Sequence, residues 1–436
     1  MSKWEEDKTP IENFYIGFFD GPHATPQFVE EGPIFLGIKN ITEDGRLDLT
    51  ETNHLSEKDF QKWTRRVTPQ PGDIVFTYEA ALHKYAVIPT GFRGCLGRRL
   101  ALVRPNPQKA DSQFLLYYFL GNYWKALITS KIFSGSTVDR IPLIDFPKFE
   151  VSIPPLPVQR KIAAVLSAYD DLIENNTRRI ALLEKMAEEI YREWFVRLRF
   201  PGHEQVTFHK GIPAGWDVAQ LGEIAEKSGG VVQTGPFGAQ LHQSDYQSDG
   251  IPVIMPKDIQ GNRINFETVA FISEQLAQKL SRHILQKGDI VFPRRGDLSK
   301  RFLVTANEDG WLCGTGCLKI SIPSQALSPW YLFYFLSQSY IADFIESKAI
   351  GATMANLNAS ILKSVELLCP SYSVQEKFDR VIEPILEQVT RLDQVNQYLK
   401  KLRDRLLTRL ISGKLSVKDL DIHFPPSMTA ETPHDG

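Results

Sequence analysis

The sequence predicts an α+β protein in which two pseudo-two-fold-related mixed domains are separated by an antiparallel coiled coil of two long helices. An internal repeat is the first observation behind this. Gly72-Asp73-Ile74-Val75-Phe76 recurs as Gly288-Asp289-Ile290-Val291-Phe292, an offset of about 216 residues. The same register carries Tyr118-Phe119-Leu120 onto Tyr334-Phe335-Leu336, Pro154 onto Pro370 and Val158-Gln159 onto Val374-Gln375. Chance gives one matched pentapeptide, but a constant register over several blocks needs duplication. A heptad in each copy is the second observation. Leu166, Tyr169, Ile173, Asn176, Ile180, Leu183, Ala187, Ile190 and Trp194 alternate spacings of three and four. Ile382, Ile385, Val389, Leu392, Asn396, Leu399, Arg403, Leu406 and Leu410 repeat the pattern.

The elements follow in order. Residues 1–153 form the first mixed domain, with β-rich runs such as Asp73 to Tyr78 broken by Gly, Pro and Asn. Residues 154–201 form the central helix, opened by Pro157 in its first turn and stopped near Pro201-Gly202. The second mixed domain covers 202–370. The distal helix, 371–415, starts on a Ser373/Glu376 capping box and stops at Ser412-Gly413. Pro384 is expected to kink it or to mark its effective start. Residues 416–436 are a tail, disordered from Pro425 onward. Asn176 and Asn396 interrupt the apolar seam; a polar seam residue lowers stability and specifies register, and a slip of one layer lets these two meet.

Composition bounds the function. The chain has 436 residues, 42% hydrophobic and 23% charged, with 50 Lys+Arg against 52 Asp+Glu. This is globular composition, and no run approaches the ~18 apolar residues of a membrane span. Cys95, Cys313, Cys317 and Cys369 are sparse and no secretory signal is visible, so a reducing, cytoplasmic setting is expected. The formal net charge of −2 argues at first sight against nucleic acid. Basic clusters nonetheless stand out locally, so the chain alone is expected to bind DNA weakly and to need partners for tight binding.

Chemistry of the chain's own is not evident. There is no phosphate-binding Gly-x-x-x-x-Gly-Lys-Ser/Thr loop and no Asn-Pro-Pro-aromatic run. Asp289, Asp297 and Lys300 resemble a nuclease set, but the first-copy counterparts Asp73, Glu79 and Lys84 differ in spacing, and Gly-Asp before Ile-Val-Phe reads as a turn launching a strand. Cys313 and Cys317 lack a second cysteine pair for zinc, so no metal site is expected. Two domains on a paired helical rod suit a target with two separated half-sites, and duplex DNA is the common target of that geometry.

Ile153 to Ile162 with Leu183-Glu184, Gly211-Ile212-Pro213-Ala214-Gly215-Trp216 with Thr234-Gly235-Pro236-Phe237-Gly238, and the ending Leu406 to Leu415 resemble the specificity subunit of type I restriction-modification enzymes. The Gly211–Trp216 stretch has no counterpart in the first half. The resemblance implies a non-catalytic subunit whose two target recognition domains each read half of a split DNA site. It implies two methyltransferase subunits docked on the helices and methylating adenine with S-adenosylmethionine, and motor-nuclease subunits using ATP and magnesium. A self-contained DNA-modifying enzyme and a coiled-coil adaptor without DNA specificity are the rival readings.

Arg and Lys supply phosphate contacts and guanine readout, and Asn suits adenine. The candidate DNA-binding residues are therefore Arg93, Arg98 and Arg99 in the first copy, with Arg294, Arg295, Lys300 and Arg301 in the second. Lys39 and Lys257 recur as phosphate binders beside Asn40 and Asp258, which differ as direct readers of two half-sites would. Ser134, Thr137 and Thr353 are small-residue loop candidates, and His23 is a weaker one.

Overall fold

The computed structural model describes residues 8–132, 138–237, 240–348 and 356–429. The chain divides into two compact units, Met1–Arg179 with Leu392–Gly436, and Ile180–Arg391. The division falls inside both long helices rather than at their ends, because each unit's core takes in helix segments from both.

In the first unit a four-stranded antiparallel sheet runs in the order Tyr15–Asp20, Leu100–Pro105, Ile74–Thr77, Tyr85–Val87. Ile74, Val75 and Phe76 are fully buried, as a strand covered on both faces requires. A three-stranded sheet, Asn53–His54, Val29–Leu36, Gly94–Leu96, pairs its last two strands in parallel. The second unit repeats the larger sheet as Val231–Thr234, Cys317–Ser321, Ile290–Pro293, Phe302–Leu303. Its other sheet pairs Ile251–Ile254 in parallel with Leu312–Cys313.

The repeated Gly-Asp is an ion-pair anchor. Buried Asp73 accepts from Arg104 Nε at 2.8 Å and from the amide of Gln70. Asp289 lies 3.5 Å from buried Lys319 Nζ and accepts from the amide of Gln286. Each carboxylate therefore joins two strands and closes the turn before its own.

The repeated Val-Gln joins each long helix to the domain before it. Gln159 is fully buried; its Oε1 accepts from the amide of Asp111 at 2.9 Å and its Nε2 donates to the carbonyls of Lys109 and Pro154. Gln375 repeats this with the amide of Ser328 at 2.6 Å and the carbonyl of Pro370 at 2.7 Å. Asp111 and Ser328 are the N-caps of the aromatic helices Ser112–Leu120 and Pro329–Phe335, so one glutamine ties two helix starts together in each unit.

The long helices are Leu156–Tyr191, 36 residues, and Tyr372–Ile411, 40 residues. At 1.5 Å per residue they measure about 54 and about 60 Å. No seam position of either heptad is exposed, whereas Arg178, Arg179 and Glu174 face solvent. The distal helix begins at Tyr372, so Ser373 lies in its first turn and is not the cap, and Pro384 sits inside the helix rather than at its start. The central helix ends at Tyr191, ahead of Pro201, in a five-residue π turn, Arg192–Val196. The tail also differs from expectation up to Met428: Lys161 Nζ donates to the carbonyls of Lys418 and Leu420, and Ile422 and Met428 pack on the first unit's core.

Candidate nucleic-acid interface

Each unit carries a place where two loops cross at the end of its larger sheet. In the first, Gly21 meets the turn at Gly97 so closely that an added Cβ would lie 2.1 Å from the Gly97 carbonyl oxygen; in the second, Gly235 meets Gly314 with the same clash at 2.0 Å. The amides of Gly21 and Gly235 donate to Leu100 and Cys317. The Gly-Pro loops therefore need glycine for close backbone approach, and the next residue is His23 in one unit and Phe237 in the other.

The strand launched by the repeated Gly-Asp ends at the crossing. The amide of Tyr78 donates to Arg99, and the carbonyl of Tyr78 accepts from Ile141; Arg294 makes the same pair with Gly316 and Leu357. One residue on, Glu79 bridges to Arg140 and Arg295 bridges to Asn356. The next residue is left-handed in both units, Ala80 at φ 73° and Gly296 at φ 84°. Glycine adopts that conformation freely, whereas alanine does so at a cost.

The charges at the crossings differ. In the first unit Arg98 and Arg99 sit on the Gly97 turn; Arg98 is exposed, and Arg99 Nε lies 3.3 Å from Glu79, whose other oxygen is 3.9 Å from Arg140. The Arg140 guanidinium lies over the Tyr78 ring at 5.5 Å. In the second unit the matching turn is Gly314-Thr315-Gly316, and the arginines come from the strand end. Arg294 lies over the exposed Phe237 ring at 5.4 Å and donates to the Leu357 carbonyl. Arg295 is exposed, and its side chain has no partner among the described residues. Lys300 lies 4.0 Å from Asp297.

Several sequence candidates take other roles. Asn40 is 2% exposed, and its side chain accepts from the amide of Gly37 and donates to the carbonyls of Asp48 and Glu51. Asp258 is fully buried, accepting from the amide of Met255 and the hydroxyl of Thr268. These two are matched loop braces, not exposed readers of bases. Arg301 is also buried, stacked on Phe333 at 5.1 Å and donating to the Ser299 carbonyl; burial pulls its pKa down to about 10. It belongs to the second core rather than to the surface. Arg93 is exposed, but its fork grips Glu57 at 2.6 and 2.7 Å and lies over Phe60, which neutralises it. Lys39 pairs with Glu51 at 3.6 Å, while Lys257 is exposed. His23 pairs with Asp20, which also holds Arg66. Ser134, Thr137 and Thr353 lie outside the described residues.

Arg140, Glu79 and Phe237 are crossing residues absent from the DNA-binding candidates, Glu79 having entered the sequence reading only as a nuclease-like residue. The repeat register was the signal that could have found the first two, since Arg140 aligns with Asn356 and Glu79 with Arg295. Cys313 and Cys317 are buried thiols, which burial pushes up, the first to about 12. Among the described residues no group of three or more His, Cys, Asp or Glu is placed to hold a metal, and no helix is long and apolar enough to cross a membrane.

Comparison with known proteins follows the repeat. The family model described as type I restriction modification DNA specificity domain matches residues 29–185 and 213–402. The type I restriction enzyme MjaIX specificity subunit of Methanocaldococcus jannaschii is 25% identical over 371 residues, covering 84% of this chain and 83% of that protein. The StySPI specificity subunit of Salmonella potsdam is 23% identical over 210 residues, 47% of this chain and 44% of the relative. The crystal structure of the type I restriction-modification S subunit from M. genitalium has a similar fold, with a TM-score of 0.54 at 16% identity over 93% of this chain and 95% of that one.

Proposed function

The chain belongs to the type I restriction-modification DNA specificity family, and from that premise we propose that each unit reads one half of a bipartite DNA site on behalf of partner enzymes. One observation carries the reading: the same tight loop crossing, with basic residues beside it, occurs in both units. A duplicated reader of base edges needs such a scaffold, rigid in backbone and variable in side chain.

Two methyltransferase subunits dock on the paired helices in this reading. Support comes from the large apolar side chains left exposed there: Leu172, Val395 and Tyr398 in the first unit, and Leu182, Met186 and Val381 in the second. S-adenosylmethionine, ATP and magnesium belong to the partners, the methyltransferases and the motor-nuclease subunits, and the assembly works in the cytoplasm. Helix length sets the distance between half-sites. Near-neutral net charge fits a chain that binds DNA tightly only inside the assembly.

The test is methylated-motif sequencing of DNA treated with the purified chain plus its methyltransferase subunits. A two-part adenine-methylated motif is the expected result, and deleting one heptad from both helices together shortens its spacer while both halves stay the same. Methyl transfer or nicking by the chain alone, or methylation without a motif, overturns the reading.

A further inference from the structure

The geometry points to positions 79 and 295 as matched base-reading positions of opposite chemistry: Glu79 takes a base that offers an amino donor, cytosine or adenine, and Arg295 takes guanine. This rests on the reading that the chain selects a DNA sequence. The two residues occupy one place in the repeat. Each follows the residue whose amide and carbonyl bond to the two flanking segments, each is bridged within its own unit, to Arg140 and Asn356, which align with each other, and each precedes a left-handed residue. At Ala80 that conformation is strained, and backbone strain in a non-glycine residue persists where the surroundings over-determine it. Gly296 has no neighbour within 4 Å of an added Cβ, so the second unit's turn is open rather than packed.

The chemistry at the two places is complementary to different bases. A carboxylate only accepts hydrogen bonds, and the N4 amino group of cytosine or N6 of adenine is the donor displayed in the major groove. A bare carboxylate close to phosphates would be repelled. Glu79 is held between Arg99 and Arg140, one on each oxygen, so the cluster is net cationic while each oxygen keeps acceptor capacity. Arg295 has the reverse character, donor only, exposed and without a side-chain partner among the described residues. An unengaged guanidinium fork matches guanine O6 and N7.

The experiment is methylated-motif sequencing with the full complex of this chain and its methyltransferase subunits, comparing wild type with Glu79→Gln, Glu79→Asp, Arg140→Ala and Arg295→Ala. Glu79→Gln is expected to relax one cytosine or adenine position in one half-site, and Arg295→Ala one guanine in the other, each by about tenfold in discrimination. Glu79→Asp keeps the acceptor and the base, which separates reading from folding. Arg140→Ala slows methylation at every sequence without changing the motif. The assignment fails if Glu79→Gln and Arg295→Ala keep every specified base whatever their rate, or if the relaxed positions are other bases or lie in one half. A wild-type complex that methylates without a motif overturns the functional reading itself, a result distinct from relaxed variants of a selective complex.

Discussion

The two units bury the same stretch of repeat against their helices by different means. In the first, the seam is polar. Asn176 Nδ2 donates to Asn396 Oδ1 at 2.9 Å, and Arg403 donates to Asp170 at 2.6 Å, while Tyr117 donates to the other oxygen of Asp170. In the second, the residues at the matching positions are apolar, Ala187, Leu386 and Phe333, and an aromatic cluster lies at the helix ends. Phe195 lies 4.7 Å from Tyr331 and 4.9 Å from Phe378, with Tyr191 and Trp194 packed around the same ring. The repeat register sets Ala187 opposite in role to Arg403 and Leu386 to Asp170. Duplication therefore preserved the fold and left the seam free to diverge. Aromatic packing adds stability, whereas buried polar pairs fix which residues meet at some cost in stability.

The largest expected effect tests the aromatic side. Phe378 is fully buried among four rings, so Phe378→Ala should lose about 4 kcal/mol of unfolding free energy in urea titration. A loss below about 1 kcal/mol would mean that the second unit does not depend on this cluster.

Next comes the polar side. Removing Arg403 leaves Asp170 without its main cation, but Asp170 is 24% exposed and keeps Tyr117. Arg403→Leu should therefore lose about 2 kcal/mol, less than a fully buried pair. The double change Arg403→Leu with Asp170→Leu should recover most of it. If the double variant is as weak as the single one, the seam needs this pair for stability and the contrast with the second unit collapses.

The smallest effect is a pH dependence at Asp379 in the second unit. Burial, with the nearby Glu383 charge, raises Asp379 from the ordinary 3.8 to about 6 against the opposing hydrogen bond from the Ser328 hydroxyl. The folded state then holds a proton that the unfolded state has released. The stability this contributes is complete below about pH 4 and is lost as pH rises through about 6. Asp379→Asn keeps an acceptor for Ser328, so its melting temperature should gain on wild type as pH rises from 4 to 7. The first unit has buried Ala163 at the matching place. Parallel melting curves for the two proteins across that range would refute the assignment.

The repeat and the heptad were legible because both are patterns along the chain, and Ile74-Val75-Phe76 could only be a covered strand. The use of each charge was not. Arg93 is consumed by Glu57, Arg104 by Asp73, and Arg301 by the core, partners distant in sequence that composition does not reveal. Asn40 and Asp258 differ in type, which suggested readers of different bases, yet both accept the amide three residues back, a task that Asn and Asp perform equally, and Asn40 spends its amino group on the carbonyls of Asp48 and Glu51. Ser373 failed as a cap because the backbone turns helical at Tyr372, two residues before the first helical residue that pattern implied.

The glutamine joint has a consequence for how such chains diversify. Gln159 and Gln375 reach only main-chain amides and carbonyls of the preceding domain. A main-chain partner is present whatever side chain occupies the position. The joint therefore tolerates wholesale change in the sequence it holds, provided the backbone path into the aromatic helix is kept. A foreign domain cut in at that helix would be gripped by the same glutamine, and recombination could hand the scaffold a new target without redesigning its hinge to the helices.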